Sequence, residues 1–324
     1  GTLAAGNYTI TVQDANLCAV DVPVTITEPT PLTGAITAQT NVLCNGDANG
    51  SVTVVGADGT AGYLYSTDGG TTTQISGTFS GLSAGAFTVT VVDDNLCAVD
   101  VPVTINEPLA LTGSITAQTN VLCNGDATGS ITVDGADGTA GYLYEIDGGG
   151  FGAAGTFGTL TAGTYTVTVQ DANLCTVDVP VTITEPTPLT GAITAQTNVL
   201  CNGDATGSVT VTADVGTGTA GYLFAIDGAT FGASGTFGTL AAGNYTITVQ
   251  DANLCTVDVP VTITEPTPLT AAITAQTNVL CNGDATGSVT IDGADGTADY
   301  LYSTDGGTTT QISGTFNALT AGGY

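Results

Sequence analysis

Residues 82–105 read LSAGAFTVTVVDDNLCAVDVPVTI, and their alternation decides the fold. From Phe87 to Val91 apolar and polar residues change places with period two, the pattern of a strand with one buried face. Val99 to Ile105 repeats that pattern, and Asp93-Asp94-Asn95 between them is turn chemistry. Outward from this hairpin the same grammar continues over residues 30–108. Ala35 to Val42 and Ser51 to Val55 read as strands joined by the Asn45–Gly50 turn. Gly62 to Tyr65 reads as a third, closed by Asp68-Gly69-Gly70, and two short strands fit between Thr71 and Leu82.

Six or seven short strands in about 79 residues, with turn signals every 8–12, predict an immunoglobulin-like β-sandwich. Leu82, a glycine turn at Gly85 and the aromatic Phe87 opening the penultimate strand resemble the E–F corner of such sandwiches. Tyr165 and Tyr245 stand at the same place in later copies. The pairs Tyr63/Tyr65, Tyr142/Tyr144, Tyr222/Phe224 and Tyr300/Tyr302 lie two apart and share a face. Burial is the expected fate of that face; exposed, it would form a ladder for stacking on glycans.

The unit is copied. DANLC occurs at 14–18, 171–175 and 251–255, with DDNLC at 93–97, and a CNGD box begins at Cys44, Cys123, Cys201 and Cys281. Cys18, Cys97, Cys175 and Cys255 mark a period of about 79 residues, long enough for each copy to enclose a core of its own. The boundaries expected at the proline segments give 1–29 as the end of one repeat, then 30–108, 109–186 and 187–266 as whole repeats, and 267–324 as the start of another. Both ends fall in the same phase, so the sequence reads as a window on a longer array. Glu28-Pro29, Glu107-Pro108, Glu185-Pro186 and Glu265-Pro266 make the joints short and semi-rigid, which predicts a tandem all-β array extended as a rod.

Composition excludes much chemistry. The chain has 29 acidic residues and no Lys, Arg, His, Met or Trp. Imidazole bases, lysine Schiff bases and arginine clamps are absent, which argues against an enzyme. Nucleic acid and anionic lipid are excluded as partners, since both are engaged through basic side chains. No apolar stretch is long enough to span a bilayer. Without side-chain cations, the carboxylates must be solvated, hydrogen-bonded to amides, or neutralised by inorganic ions.

Calcium is the one cofactor considered. Asp47, Asp126, Asp204 and Asp284 lie in tight Asn-Gly-Asp loops, and Asp21 or Glu28 stands near a joint; oxygen ligands suit a hard cation. Each loop offers one carboxylate, however, and the competing role is that Asp caps its own turn, as also at Asp14, Asp93, Asp171 and Asp251. Asn7, Asn49 and Asn244 fit the glycosylation sequon.

Two cysteines per copy indicate an oxidising, extracytoplasmic setting. Zinc is disfavoured, because no C-x-x-C and no His exist. Two disulfide patterns stand. One joins Cys44 to Cys97, Cys123 to Cys175 and Cys201 to Cys255 within repeats; the other joins Cys18 to Cys44 across a joint. In a seven-strand sandwich the two turns lie at opposite poles, which disfavours the first pattern, whereas a six-strand version puts them together. An extended array separates Cys18 from Cys44, so the within-repeat pattern is the expected one.

CNGDATGSITV at 123–133, Gly141-Tyr142-Leu143-Tyr144, AGTYTVTVQDANLC at 162–175 and VTITEP at 181–186 resemble, in order, the SprB-type repeat of large surface adhesins of gliding Bacteroidetes-type bacteria. The resemblance recurs in every copy. The family commonly has Trp after the aromatic strand, where this chain has Asp-Gly turns, and Gly where Leu17, Leu96, Leu174 and Leu254 stand. It implies export to the bacterial cell surface by the type IX route and a role in extension or adhesion. On this reading the partners are neighbouring repeats, laterally associated copies, or other surface and secretion components. The leading expectation is the stalk of a secreted surface adhesin or extracellular filament, extending a tip. The alternative is a multivalent glycan- or surface-binding array.

Overall fold

The alternating stretch from Phe87 to Val91 lies at the centre of a three-strand sheet. The computed structural model describes residues 1–324, and every regular element in it is a β-strand. A first hairpin, β1 (Gly6–Gln13) and β2 (Ala19–Ile26), precedes a six-strand set: β3 (Thr33–Thr40), β4 (Gly50–Ala57), β5 (Leu64–Ser66), β6 (Thr78–Leu82), β7 (Gly85–Val92) and β8 (Ala98–Ile105). These form two sheets in the order β3-β4-β6 and β5-β7-β8, the A-B-E and C-F-G arrangement of an immunoglobulin-like sandwich. An antiparallel bridge between Tyr65 and Gln74 supplies a vestigial seventh strand after β5.

The set recurs as β9 (Thr112–Thr119), β10 (Gly129–Ala136), β11 (Leu143–Ile146), β12 (Thr156–Leu160), β13 (Gly163–Gln170) and β14 (Thr176–Ile183). It recurs again as β15 (Gly191–Thr197), β16 (Gly207–Ala213), β17 (Leu223–Ile226), β18 (Thr236–Leu240), β19 (Gly243–Gln250) and β20 (Thr256–Ile263). Three further strands follow: β21 (Thr270–Thr277), β22 (Gly287–Ala294) and β23 (Thr315–Leu319). Sheet order is the same in each copy. By internal contacts the chain divides into two compact units. One holds Gly1–Gln118, Ser130–Gly158 and Gly163–Thr182; the other holds Thr119–Gly129, Thr159–Ala162 and Ile183–Tyr324.

Period-two burial builds each core. In β4 the inward Val52 and Val54 are buried, and Val89, Val91, Val101, Val103 and Ile105 meet them from the facing sheet. Val209, Val211, Ile247, Val249 and Ile263 do the same in the other unit. Each such side chain contributes about 1.5–3 kcal/mol by leaving water. Close sheet contact is enforced by glycine: a Cβ on Gly77 would sit 1.9 Å from the Val54 carbonyl oxygen, and one on Gly155 2.1 Å from that of Val133.

The aromatic pairs are core and corner residues, as expected. The Tyr63 hydroxyl donates to Asp58 O, and the Gly56 amide donates to the Tyr65 hydroxyl. The Tyr245 hydroxyl donates to Ala241 O at 3.0 Å, closing the E–F corner.

The strand directions correct the expected disulfides. β3 and β6 both run antiparallel to β4, and β7 begins at the tight corner where β6 ends. The β3–β4 loop bearing Cys44 and the β7–β8 loop bearing Cys97 therefore lie at opposite poles, about 25 Å apart for strands of this length. Cys44–Cys97 cannot form, nor can its counterparts Cys123–Cys175 and Cys201–Cys255. The bonds present are Cys44–Cys175 and Cys123–Cys255, each with Cα atoms 5.6 Å apart, across neighbouring copies. Cys18–Cys44 is not formed either.

Candidate functional site: the stapled joint between repeats

The joint is built from two loops and a proline segment. In the CNGD loop the Asp47 amide donates to Cys44 O, making a tight turn. That turn presents the Gly46 amide to Glu107 Oε2 at 2.6 Å, and Asn45 Nδ2 to Pro108 O at 3.0 Å. The Glu-Pro segment leaving β8 is thus held by the loop that precedes β4. The same clasp recurs as Gly125 to Glu185 with Asn124 to Pro186, and as Gly203 to Glu265 with Asn202 to Pro266.

The DANLC loop approaches from the next copy. Asp171, only 1 % exposed, accepts the amides of Asn173 and Cys175 on Oδ1 and of Thr139 on Oδ2, all at 2.9 Å. Asp251 repeats the three bonds with Asn253, Cys255 and Thr219. Asp93 does so with Asn95, Cys97 and Thr60. The Thr60 amide, with the Cys97 and Asn95 amides, holds the Asp93 carboxyl below the usual range against the opposing effect of burial. These aspartates cap their own turns rather than stand free as ligands.

The capped loop places Asn173 and Cys175 against the preceding copy. Asn173 Nδ2 donates to Leu43 O at 3.0 Å and to Thr139 Oγ1 at 2.9 Å, beside the Cys44–Cys175 bond. Asn253 Nδ2 donates to Leu122 O at 3.1 Å beside Cys123–Cys255. The turn also puts Leu17, Leu96, Leu174 and Leu254 at φ of 65–71° with their side chains 72–83 % exposed. A left-handed backbone costs an L-residue about 1–2 kcal/mol, which is why glycine is the natural occupant there.

Of the carboxylates considered for calcium, Asp47 is exposed and its Oδ2 accepts from Asn49 Nδ2. Asp126, Asp204 and Asp284 close identical turns. No group of three His, Cys, Asp or Glu side chains is arranged to hold a metal ion. Of the six cysteines expected to pair, Cys44, Cys123, Cys175 and Cys255 are bonded, with new partners; Cys97 and Cys201 are exposed thiols. The sequence placed Glu107 at a joint and Asn45 in a turn, but the contacts that Asn45, Glu107, Asn173 and their counterparts make there were not read from it. Their signal was the recurrence of CNGD and Glu-Pro in every whole copy, at a near-constant interval.

The SprB repeat family model matches four stretches, 36–72, 112–151, 193–231 and 273–309, each running from the A strand into the turn after the C strand. The chain carries SprB-type repeats in tandem. Among solved structures it is similar to three N-terminal domains of the highly immunogenic outer capsid protein of bacteriophage RB49, at 13% identity and TM-score 0.30 over 73% of this chain and 96% of that one. It is similar to the bacterial integrin-binding protein invasin, at 17% identity and TM-score 0.29 over 82% and 67%. It is also similar to the protocadherin γB4 extracellular domain, at 12% and 0.28 over 99% and 72%. No curated protein matches the sequence.

Proposed function

We propose that this chain is a stalk segment of a cell-surface repeat protein, exported across the bacterial envelope, with tension-bearing as its task. The single observation that carries this reading is the joint. The copy at 30–108 is tied to that at 109–186, and that one to the copy at 187–266, by a disulfide, an Asn-to-carbonyl bond and a clasped Glu-Pro segment. Repeating one such joint fits a role in which length and cohesion are the useful properties. The repeat family and the cation-free composition, which leaves no Lys or Arg for trypsin-like proteases, support the same reading. They also fit a non-enzymatic protein. Of the aromatic pairs that would have served a glycan-binding ladder, Tyr65, Tyr144 and Phe224 are buried in the sandwiches, and the Tyr63, Tyr142, Tyr222 and Tyr300 hydroxyls are tied to backbone carbonyls. The test is adhesion of the purified chain to glycan arrays and to cell and mineral surfaces. A stalk gives no saturable binding at micromolar concentration; binding that grows with repeat number overturns the reading.

A further inference from the structure

The CNGD turn of each whole copy carries an Asn-Gly pair: Asn45-Gly46, Asn124-Gly125 and Asn202-Gly203. In this pairing an asparagine side chain loses ammonia most readily, because glycine leaves the attacking amide nitrogen unshielded. All six residues are exposed to water, so burial does not guard them. Hydrogen bonds do. The Gly46 amide donates to Glu107 Oε2 at 2.6 Å, while Asn45 Nδ2 donates to Pro108 O at 3.0 Å. The two groups that would react are tied to different acceptors. Gly125 and Asn124 are held in the same way by Glu185 and Pro186, at 2.6 and 3.1 Å. Gly203 and Asn202 are held by Glu265 and Pro266, at 2.7 and 3.1 Å.

Backbone geometry sets a second barrier. The Asp47 amide donates to Cys44 O, Gly46 has a φ of 81°, and Asn45 is not left-handed. That combination is a type II turn, which holds ψ at its second residue near about +120°. Closing a ring from the Gly46 nitrogen to Asn45 Cγ requires that nitrogen to eclipse Asn45 Cβ. The peptide between the two residues must therefore turn over before the atoms meet, and the Gly46–Glu107 bond opposes that turn. Gly125 and Gly203 share the φ of 81° and the same turn bond. A Cβ at any of the three glycines would meet nothing within 4 Å, so the backbone conformation, not space, calls for glycine there.

We propose that Asn45, Asn124 and Asn202 are deamidation sites gated by the clasp, silent while the Glu-Pro segment is held and converted to aspartate or isoaspartate once it is released. The step needs only water. The Gly46 nitrogen gives its proton to solvent base and bonds to Asn45 Cγ; the Cγ–Nδ2 bond breaks, and the nitrogen leaves as ammonia with a proton taken from solvent. Water then opens the cyclic imide at either carbonyl, giving aspartate or isoaspartate. Neither product rebuilds the clasp. The new carboxylate has no hydrogen to donate to Pro108 O. It also stands near the Glu107 carboxylate, in a chain with no Lys, Arg or His to offset the charge. Isoaspartate further adds a methylene to the backbone, which moves the Gly46 amide away from Glu107. Release of the segment thus becomes irreversible. This chemistry depends on the clasp and not on the stalk reading.

The clasp of the copy at 109–186 is the cleanest to follow, because Thr128 stands where the copy before it has a second Asn-Gly pair, Asn49-Gly50. The full 324-residue chain is incubated in mildly alkaline buffer, and asparagine, aspartate and isoaspartate at each site are quantified by peptide mapping. All three sites are expected to convert far more slowly in the folded chain than in the reduced, denatured one. Glu185→Ala is expected to speed conversion of Asn124 by about tenfold or more, the equivalent of one bond to a charged acceptor, while Asn45 and Asn202 keep their rates. Glu185→Gln, which retains an acceptor oxygen, is expected to fall between. With no substitution at all, conversion of Asn124 should rise through sub-denaturing urea in parallel with hydrogen exchange of the Gly125 amide. Asn124→Asp should leave that amide unprotected. Equal rates in folded and denatured chains, an Asn124 rate that Glu185→Ala leaves unchanged or lowers, conversion that does not follow Gly125 exchange in urea, or a protected Gly125 amide in Asn124→Asp overturns the proposal.

Discussion

Pulling on the chain reads its disulfide connectivity as length. The two bonds interleave, because Cys123 lies inside the Cys44–Cys175 loop and Cys175 inside the Cys123–Cys255 loop. With both intact, the shortest covalent path from Cys44 to Cys255 crosses one bond, returns along the chain from Cys175 to Cys123, and crosses the other. At about 3.5 Å per extended residue, the roughly 52 residues of that return span about 180 Å. With both reduced, roughly 211 residues are released, or about 740 Å. Within-repeat bonding would give a similar oxidised path, so the discriminating perturbation is Cys97→Ser with Cys201→Ser, which touches neither bond of the structure. The interleaved bonds keep the path at about 180 Å in that variant. Within-repeat pairing would then retain Cys123–Cys175 alone, leaving roughly 160 residues outside the loop, about 560 Å. Single-molecule force spectroscopy with reversible reduction measures this difference. The longer contour in the oxidised double variant refutes the interleaved pairing.

Asp171→Ala removes an acceptor of three amide bonds, each bond to a charged group being worth about 1.5–3 kcal/mol. With the exposed amides rehydrated, the net loss is about 3–5 kcal/mol, seen by hydrogen exchange in peptides spanning 163–183 while the equivalent 243–263 stays protected. The Ser66 hydroxyl, followed by the Thr72 hydroxyl and amide, holds Asp68 at about 2. A depressed folded pKa means this turn's contribution is fully present above the unfolded value near 3.8 and is lost as pH falls through about 2. The Thr72 amide shift, followed by NMR, should titrate with that midpoint and lose the transition in Asp68→Asn. Gly155→Ala drives a Cβ into the Val133 carbonyl and should cost at least about 2 kcal/mol in chemical unfolding. Leu174→Gly relieves a left-handed backbone and should be neutral or stabilising by up to about 1 kcal/mol.

Strand positions, the repeat period, the E–F corner and the buried aromatic pairs were legible because they follow from period-two alternation and turn residues, both local. The aspartate caps were legible as one of two roles; choosing between them required seeing that Asp171 reaches back to the distant Thr139 amide. The disulfides were not legible. Both patterns drawn from spacing treated Cys44 as pairing within its own repeat or backward to Cys18, while the observed partner, Cys175, lies in the copy ahead. That choice depends on the pole at which each loop emerges, and the pole depends on whether the chain runs through an odd or an even number of strands between the two loops. The short bridge at Gln74, which the pattern of Thr71–Leu82 alone does not resolve, sets that parity. Glu107 was read as part of a joint and Asn45 as part of a turn, but their contacts escaped notice for the same reason: an exposed Glu before Pro and an Asn in a turn look like solvated loop residues until the joint brings them together.

The measurement that tests the stapled joint most directly is disulfide mapping of the unreduced chain by mass spectrometry, after cleavage with pepsin. The structure predicts peptides linked through Cys44–Cys175 and Cys123–Cys255. Peptides linked through Cys44–Cys97 and Cys123–Cys175 would contradict it, because they would place the staples inside the sandwiches and leave the joints uncrosslinked.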